Sequence, residues 1–192
     1  MKKGAFVALA GITGVGKTTT IDALEDIDKR YSRVVIDTTR SLREGETKRR
    51  HVSMSQFLEN KEKGIYWGTN FTHGNYYGSP KQQVHDAIDG GTFLLTDYDI
   101  DYAEVLKKNF PQSYIVYMVP PSIDEIKNRL LTSSRDNTDL RLQKALVELE
   151  KLHRGEFDKY INFKIKSETG RQLDIAKKIH ANVLACIGKE TF

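Results

Sequence analysis

The chain has 192 residues, 39% of them hydrophobic and 29% charged, enough to bury one core and too few for two independent domains. Its single cysteine, Cys186, leaves no internal disulfide framework, and no Cys/His cluster has zinc spacing, so a reducing cytoplasm suits it best. The net charge of +4 suits phosphorylated small molecules as well as polyanions, and no stretch approaches the ~18 apolar residues of a membrane span, so neither nucleic acid nor a membrane is the expected partner.

The start, Met1-Lys2-Lys3 followed by an apolar run with an Ala8-x-Ala10 triplet, imitates a signal peptide. The same run leads straight into a glycine-rich loop, so it reads instead as a buried strand, Phe6–Ala10, with a helix behind it over Thr18–Leu24. Val34-Val35-Ile36 reads as a second strand and Phe93–Thr96, after the Gly90-Gly91 turn, as a third. Tyr114–Val119 is a fourth strand, ended by Pro120-Pro121, and Phe163–Ile165 a fifth. Helical patterns fall at Ser55–Glu62, Pro80–Ile88, Tyr102–Asn109, Ile123–Leu131 and Gln172–Cys186. Strands alternating with helices predict a three-layer α/β fold on a parallel sheet. The stretch Arg40–Gly78 is polar, aromatic and rich in Arg, Lys, Gly and Asn, and reads as an inserted substrate-binding region.

Gly11-Ile12-Thr13-Gly14-Val15-Gly16-Lys17-Thr18 matches G-x-x-x-x-G-K-[ST] at every fixed position, between a predicted strand and a predicted helix. Glycines let successive N–H groups turn inward on a phosphate, and the helix N-terminus adds partial positive charge. Lys17 is placed to reach the β- and γ-phosphates and Thr18 to offer a hydroxyl to Mg²⁺. Gly11, Thr13, Gly14, Val15, Gly16, Lys17, Thr18 and Thr19 are therefore the candidate ATP-binding residues.

Three further segments occur in one order. Thr38-Thr39-Arg40-x-x-Arg43-x-Gly45-Glu46, Gly74-Asn75-Tyr76-Tyr77-Gly78-Ser79 and Pro120-Pro121-Ser122 together resemble the guanylate kinase family over nearly the whole chain. The resemblance implies one P-loop kinase domain over 1–192, with a core at about 1–37, 90–128 and 142–192, an acceptor-binding region at about 38–89 and a short lid at about 129–141. It implies Arg40, Arg43, Glu46 and Tyr77 at the acceptor phosphate, Ser79 and Asp99 at its base, and Asp97 beside the metal and both nucleotides. A monophosphate dianion suits bidentate guanidinium forks and a phenolic O–H, although a solvated basic turn would carry the same arginines. Arg129, Arg135 and Arg141 resemble lid arginines that, with Lys17, stabilise the transferring phosphoryl group.

The implied activity is ATP- and Mg²⁺-dependent phosphorylation of a nucleoside monophosphate, GMP or dGMP foremost, by a cytoplasmic monomer or homodimer. Near Trp67 the family carries a base-reading glutamate where this chain has Tyr66 or Gly68, and the family's tyrosine after Glu46 is replaced by the basic run Lys48-Arg49-Arg50. Altered base reading and a phosphate grip passed to Arg49 or Arg50 are the expectations. A kinase of a phosphorylated sugar and a non-catalytic phospho-ligand module are the alternatives, the second disfavoured by the intact Lys17-Thr18.

Overall fold

The computed structural model describes residues 4–72, 74–132 and 138–189. In chain order the elements are β1 (Ala5–Ala10), α1 (Lys17–Ile27), β2 (Tyr31–Arg33), β3 (Ile36–Thr38), β4 (Arg49–His51), α2 (Met54–Glu62), β5 (Tyr66–Thr72), β6 (Asn75–Pro80) and α3 (Lys81–Asp89). They continue with β7 (Phe93–Asp97), a 3-10 turn at Ile100–Tyr102, α4 (Ala103–Asn109), β8 (Tyr114–Val119), α5 (Ile123–Thr132), α6 (Thr138–His153), β9 (Phe163–Lys166) and α7 (Gln172–Lys189).

Two sheets result. The core sheet is parallel throughout, in the order β2-β7-β1-β8-β9. Phe6–Ala10 and Ile115–Met118 are at most 1% exposed at every position, on both pleat faces, which requires a helical layer on each side. Phe6 meets Trp67 and Phe110 edge-on at 5.9 and 5.3 Å, tying the core to the second sheet and to α4. That smaller sheet has the order β4-β3-β6-β5, with β3 and β4 parallel and the remaining pairs antiparallel.

The expected strand at Val34–Ile36 is corrected: it straddles a junction. Tyr31–Arg33 pair with β7 in the core sheet, Val34 still donates its N–H to the Leu95 carbonyl at 2.9 Å, and Ile36 already belongs to the small sheet. Between them the Gln83 side chain serves Val35 on both sides, accepting its N–H at 2.9 Å and donating to its carbonyl at 2.7 Å. The β-branched run thus marks the place where the chain passes from one sheet to the other. Of the segment expected as a lid, Thr138–Arg141 form the first turn of α6, whose buried Ala145, Leu149 and Leu152 recur at helical spacing, and residues 133–137 lie outside the described residues.

Candidate active site

The phosphate loop hangs from the C-terminal end of β1 and needs its glycines. Gly11 has φ 138°, and a Cβ there would lie 2.6 Å from the Met118 carbonyl oxygen of the neighbouring strand. Gly16 caps α1 in the left-handed conformation, at φ 102°. That cap offers no side-chain acceptor, and the first turn of α1 holds no acidic residue. The helix's first N–H groups and its positive dipole end are therefore left for an external anion.

Side chains from distant segments hold the loop by its carbonyls. Ser167, just beyond β9, donates to the Val15 carbonyl at 2.6 Å. Arg129 of α5 reaches the Gly14 carbonyl at 3.2 Å while also donating to Thr169 Oγ1 at 2.7 Å, and it pairs with Glu125. Arg141 of α6 donates to Thr13 Oγ1 at 2.8 Å. Thr19 turns back onto the Gly16 carbonyl at 2.9 Å, and Thr18 is exposed at the start of the helix. The Lys17 ammonium folds over the loop to the Gly11 and Ile12 carbonyls. Burial pushes its pKa below the ordinary lysine value, while Asp97, Glu148 and Asp99 pull it back up. Lys17 is thus a desolvated cation held by loop carbonyls, with the charges of three carboxylates acting on it.

Beside the loop lies a cavity of about 590 Å³, bounded by the small sheet and by the residues following β7. Arg40, Arg43, Glu46, Arg49 and Tyr77 line it together. Arg40 donates to both Glu46 oxygens at 2.7 Å, Arg49 donates to the same carboxylate at 2.9 Å, and the Arg49 guanidinium lies 5.1 Å from the centre of the Tyr77 ring. The Arg43 backbone N–H adds a bond of 3.1 Å to Glu46; this bond first, and Arg40 second, holds the Glu46 carboxyl below the usual carboxylate range. Arg50 goes elsewhere. Strand alternation turns it away from Arg49, and it grips Asp37, its cross-strand neighbour on β3, with two bonds of 2.7 and 3.0 Å. Asp37 is wholly buried and also accepts the Tyr66 hydroxyl at 2.9 Å. The hairpin adds Trp67, Gly68, Thr69, Asn70, Asn75 and Ser79 to the lining, and Asp97, Tyr98, Asp99 and Tyr102 complete it from the end of β7 and the turn that follows. One Asp99 oxygen accepts the Asp101 N–H at 3.1 Å, so this residue caps the 3-10 turn as well as lining the cavity.

Thus Arg40, Arg43, Glu46, Tyr77, Ser79, Asp97 and Asp99 share one cavity, and Arg129 and Arg141 join Lys17 at the loop. Arg135 lies outside the described residues. Sequence reasoning did not single out Ser167 or Glu148. Glu148 of α6 accepts the Tyr117 hydroxyl at 2.7 Å, and burial pushes its carboxyl pKa upward. The helical spacing of Ala145, Leu149 and Leu152 was the available signal for it, since that pattern fixes which side of α6 faces the core.

The family profile described as guanylate kinase matches residues 3–174. The chain belongs to the guanylate kinase family. It is 33% identical over 183 residues to the guanylate kinase of Wolinella succinogenes, covering 91% of this chain and 84% of that one. Another relative, the guanylate kinase of Halalkalibacterium halodurans, is 30% identical over 164 residues, covering 81% and 79%. In three dimensions the chain resembles the guanylate kinase from Anaplasma phagocytophilum, with a TM-score of 0.67 at 21% identity over 96% of this chain and 86% of that one. It shares its P-loop kinase fold more distantly with the shikimate kinase from Acinetobacter baumannii, at a TM-score of 0.51 and 17% identity over 96% and 95%. Like other members of the guanylate kinase family, this chain is a nucleoside monophosphate kinase of mixed α/β architecture built on a parallel sheet.

Proposed function

We propose that the chain transfers the γ-phosphoryl group of ATP to the 5′-phosphate of GMP or dGMP. One observation carries this reading: Asp97 lines the acceptor cavity and is also the cross-strand neighbour of Leu9, two residues before the phosphate loop begins. The two sites therefore share a wall, and an acceptor phosphate held by Arg40, Arg43, Arg49 and Tyr77 would face a donor phosphate held by the loop. Phosphoryl transfer needs positioning and charge neutralisation more than a general base. In this scheme Lys17, Arg129 and Arg141 neutralise charge on the transferring group, and Glu46 holds two acceptor arginines side by side.

For the metal, the donor set available is one hydroxyl, Thr18, and one carboxylate, Asp97. Among the described residues no cluster of three or more His, Cys, Asp or Glu could cage an ion. A hydroxyl plus one carboxylate suits Mg²⁺, which keeps several waters and takes its other ligands from phosphates. Thr18 and Asp97 would hold it, and the ion would neutralise phosphate charge during transfer. We place the enzyme in the reducing, ATP-rich cytoplasm; no helix among the described residues is long and apolar enough to cross a membrane.

The test is ADP formation from ATP and Mg²⁺ against GMP, dGMP, AMP, IMP, CMP, UMP and dTMP, with Lys17→Ala as control. Guanine nucleotides should lead the panel. Turnover of none of them by a protein that still binds ATP would refute the acceptor assignment and bring sugar phosphates forward.

A further inference from the structure

The β5–β6 hairpin carries two glycines along its paired strands, and only one is explained by packing. At Gly78 an added Cβ would lie 2.8–2.9 Å from three carbons of the Tyr66 ring, so the ring occupies the place of a side chain. At Gly68, an added Cβ meets nothing within 4 Å among the described residues. Nor does the backbone require glycine, because Gly68 is absent from the residues with positive φ. A β-bulge lies beside it: Tyr66 pairs with Pro80 and Gly68 with Ser79, leaving Trp67 as the extra residue. Trp67 turns into the core against Phe6 and Phe110, and Gly68 falls on the cavity wall. The bulges that need glycine place it in the left-handed region, which Gly68 does not occupy.

A strand-interior glycine with no backbone or packing reason marks a place where a ligand comes close. The location says which part of the ligand. β4, carrying Arg49, and β5, carrying Gly68, are opposite edges of the small sheet, roughly 14 Å apart at ordinary strand spacing. With the acceptor phosphate at the arginines, Gly68 stands at the far end, where the base lies. Its cross-strand partner Ser79 and its chain neighbour Thr69 are uncharged and line the cavity with it, so the ground around Gly68 combines neutral hydrogen-bonding groups with unfilled room.

We propose that Gly68 is the residue that sets the size limit of the acceptor base, and that its missing side chain admits guanine nucleotides enlarged by an alkyl group on the base edge. This inference rests on the guanine monophosphate kinase reading above. The measurement is kcat/KM for GMP and for its N2-methyl, N2-ethyl and O6-methyl derivatives, with the wild type, Gly68→Ala and Gly68→Leu. In the wild type at least one alkylated nucleotide should be used within about tenfold of GMP. The preference for GMP over that derivative should rise in Gly68→Leu by about 10- to 200-fold, the discrimination a filled apolar pocket achieves. Gly68→Ala should give a smaller rise of the same sign. Because an alanine Cβ has open space there, the smaller variant keeps the test valid if leucine impairs folding. If the wild type uses GMP well but rejects all three derivatives by more than 100-fold, the size inference fails and the kinase assignment stands. An unchanged preference in both variants also overturns the inference. If GMP itself is inert, both readings fall.

Discussion

Replacing Arg49 or Arg50 by methionine tests the acceptor site, because these neighbours have the same side chain and different surroundings. Arg49 lines the cavity, shares Glu46 with Arg40 and lies against the Tyr77 ring. A hydrogen bond from a guanidinium to a charged acceptor is worth about 1.5–3 kcal/mol. Losing one to the acceptor phosphate should raise the KM for GMP about 10- to 150-fold and leave the KM for ATP within twofold. Arg50→Met should do the reverse. It leaves the fully buried Asp37 carboxylate with the Tyr66 hydroxyl as its remaining side-chain donor. Breaking a fully buried ion pair costs about 3–5 kcal/mol. The Arg50 side chain is 60% exposed, so solvent screening reduces this to about 1.5–3 kcal/mol. For a chain of this size that is a fall in Tm of about 3–12 °C. The assays are steady-state kinetics with GMP varied at saturating ATP, then ATP varied at saturating GMP, beside thermal melts. A normal GMP KM in Arg49→Met, or a GMP defect without loss of stability in Arg50→Met, would refute the division of labour.

Lys17→Ala should lower kcat by about 10²- to 10³-fold with an unchanged circular dichroism spectrum, since this side chain's bonds are to loop carbonyls that a phosphate replaces. Ser167→Ala leaves the Val15 carbonyl without its 2.6 Å donor in a buried setting. It should cost about 1–3 kcal/mol and raise the KM for ATP more than that for GMP; equal effects on both would contradict its place under the donor loop. Glu148→Gln is a pH test. Burial raises the folded pKa of Glu148 above its unfolded value, so the wild type loses stability as pH rises from the unfolded value through the folded one. The melting temperature of the variant relative to the wild type should therefore be near zero at pH 4 and positive at pH 7. A variant less stable at pH 7 would mean that attraction to Lys17 outweighs burial.

What could be read from the chain follows from which signals are local. Phe6–Ala10 and Tyr114–Val119 declare themselves because strands buried on both faces are continuous apolar runs. The phosphate loop declares itself because glycine spacing and flanking elements occur together within about twenty residues. Val34–Ile36 misled because β-branched residues mark extended backbone without saying which sheet receives it; Gln83, 48 residues further on, makes that decision. Arg49 and Arg50 were inseparable in a basic run. Only the pairing of Arg50 with Asp37 across β3 and β4 shows which of them faces the cavity. Gly68 was visible as a residue but not as a vacancy, since nothing local says whether a glycine spares a neighbour, as Gly78 spares Tyr66, or leaves space open.

The charges around the cleft lead to a last prediction about the metal. Arg40, Arg43 and Arg49 line the cavity with one carboxylate, Glu46, among them, a local charge of +2 that matches the phosphomonoester dianion proposed as acceptor. At the donor end the balance differs. The charges of Asp97, Glu148 and Asp99 all act on Lys17, and on the proposed reading two of these carboxylates line the cavity where the phosphates of both substrates would meet. Carboxylates facing phosphates are repulsive unless further cationic charge stands between them, which is the charge that the divalent ion proposed above would supply. Two unit charges at 4 Å interact by about 1 kcal/mol in water and about 4 kcal/mol near a protein surface. Asp97→Asn should therefore raise the Mg²⁺ concentration needed for half-maximal turnover by at least about tenfold, with recovery at high Mg²⁺. Asp101→Asn, which alters a carboxylate paired with Lys151 outside the cavity lining, should leave the Mg²⁺ requirement unchanged. If Asp97→Asn instead lowers turnover equally at every Mg²⁺ concentration, Asp97 acts on the nucleotides and not through the ion.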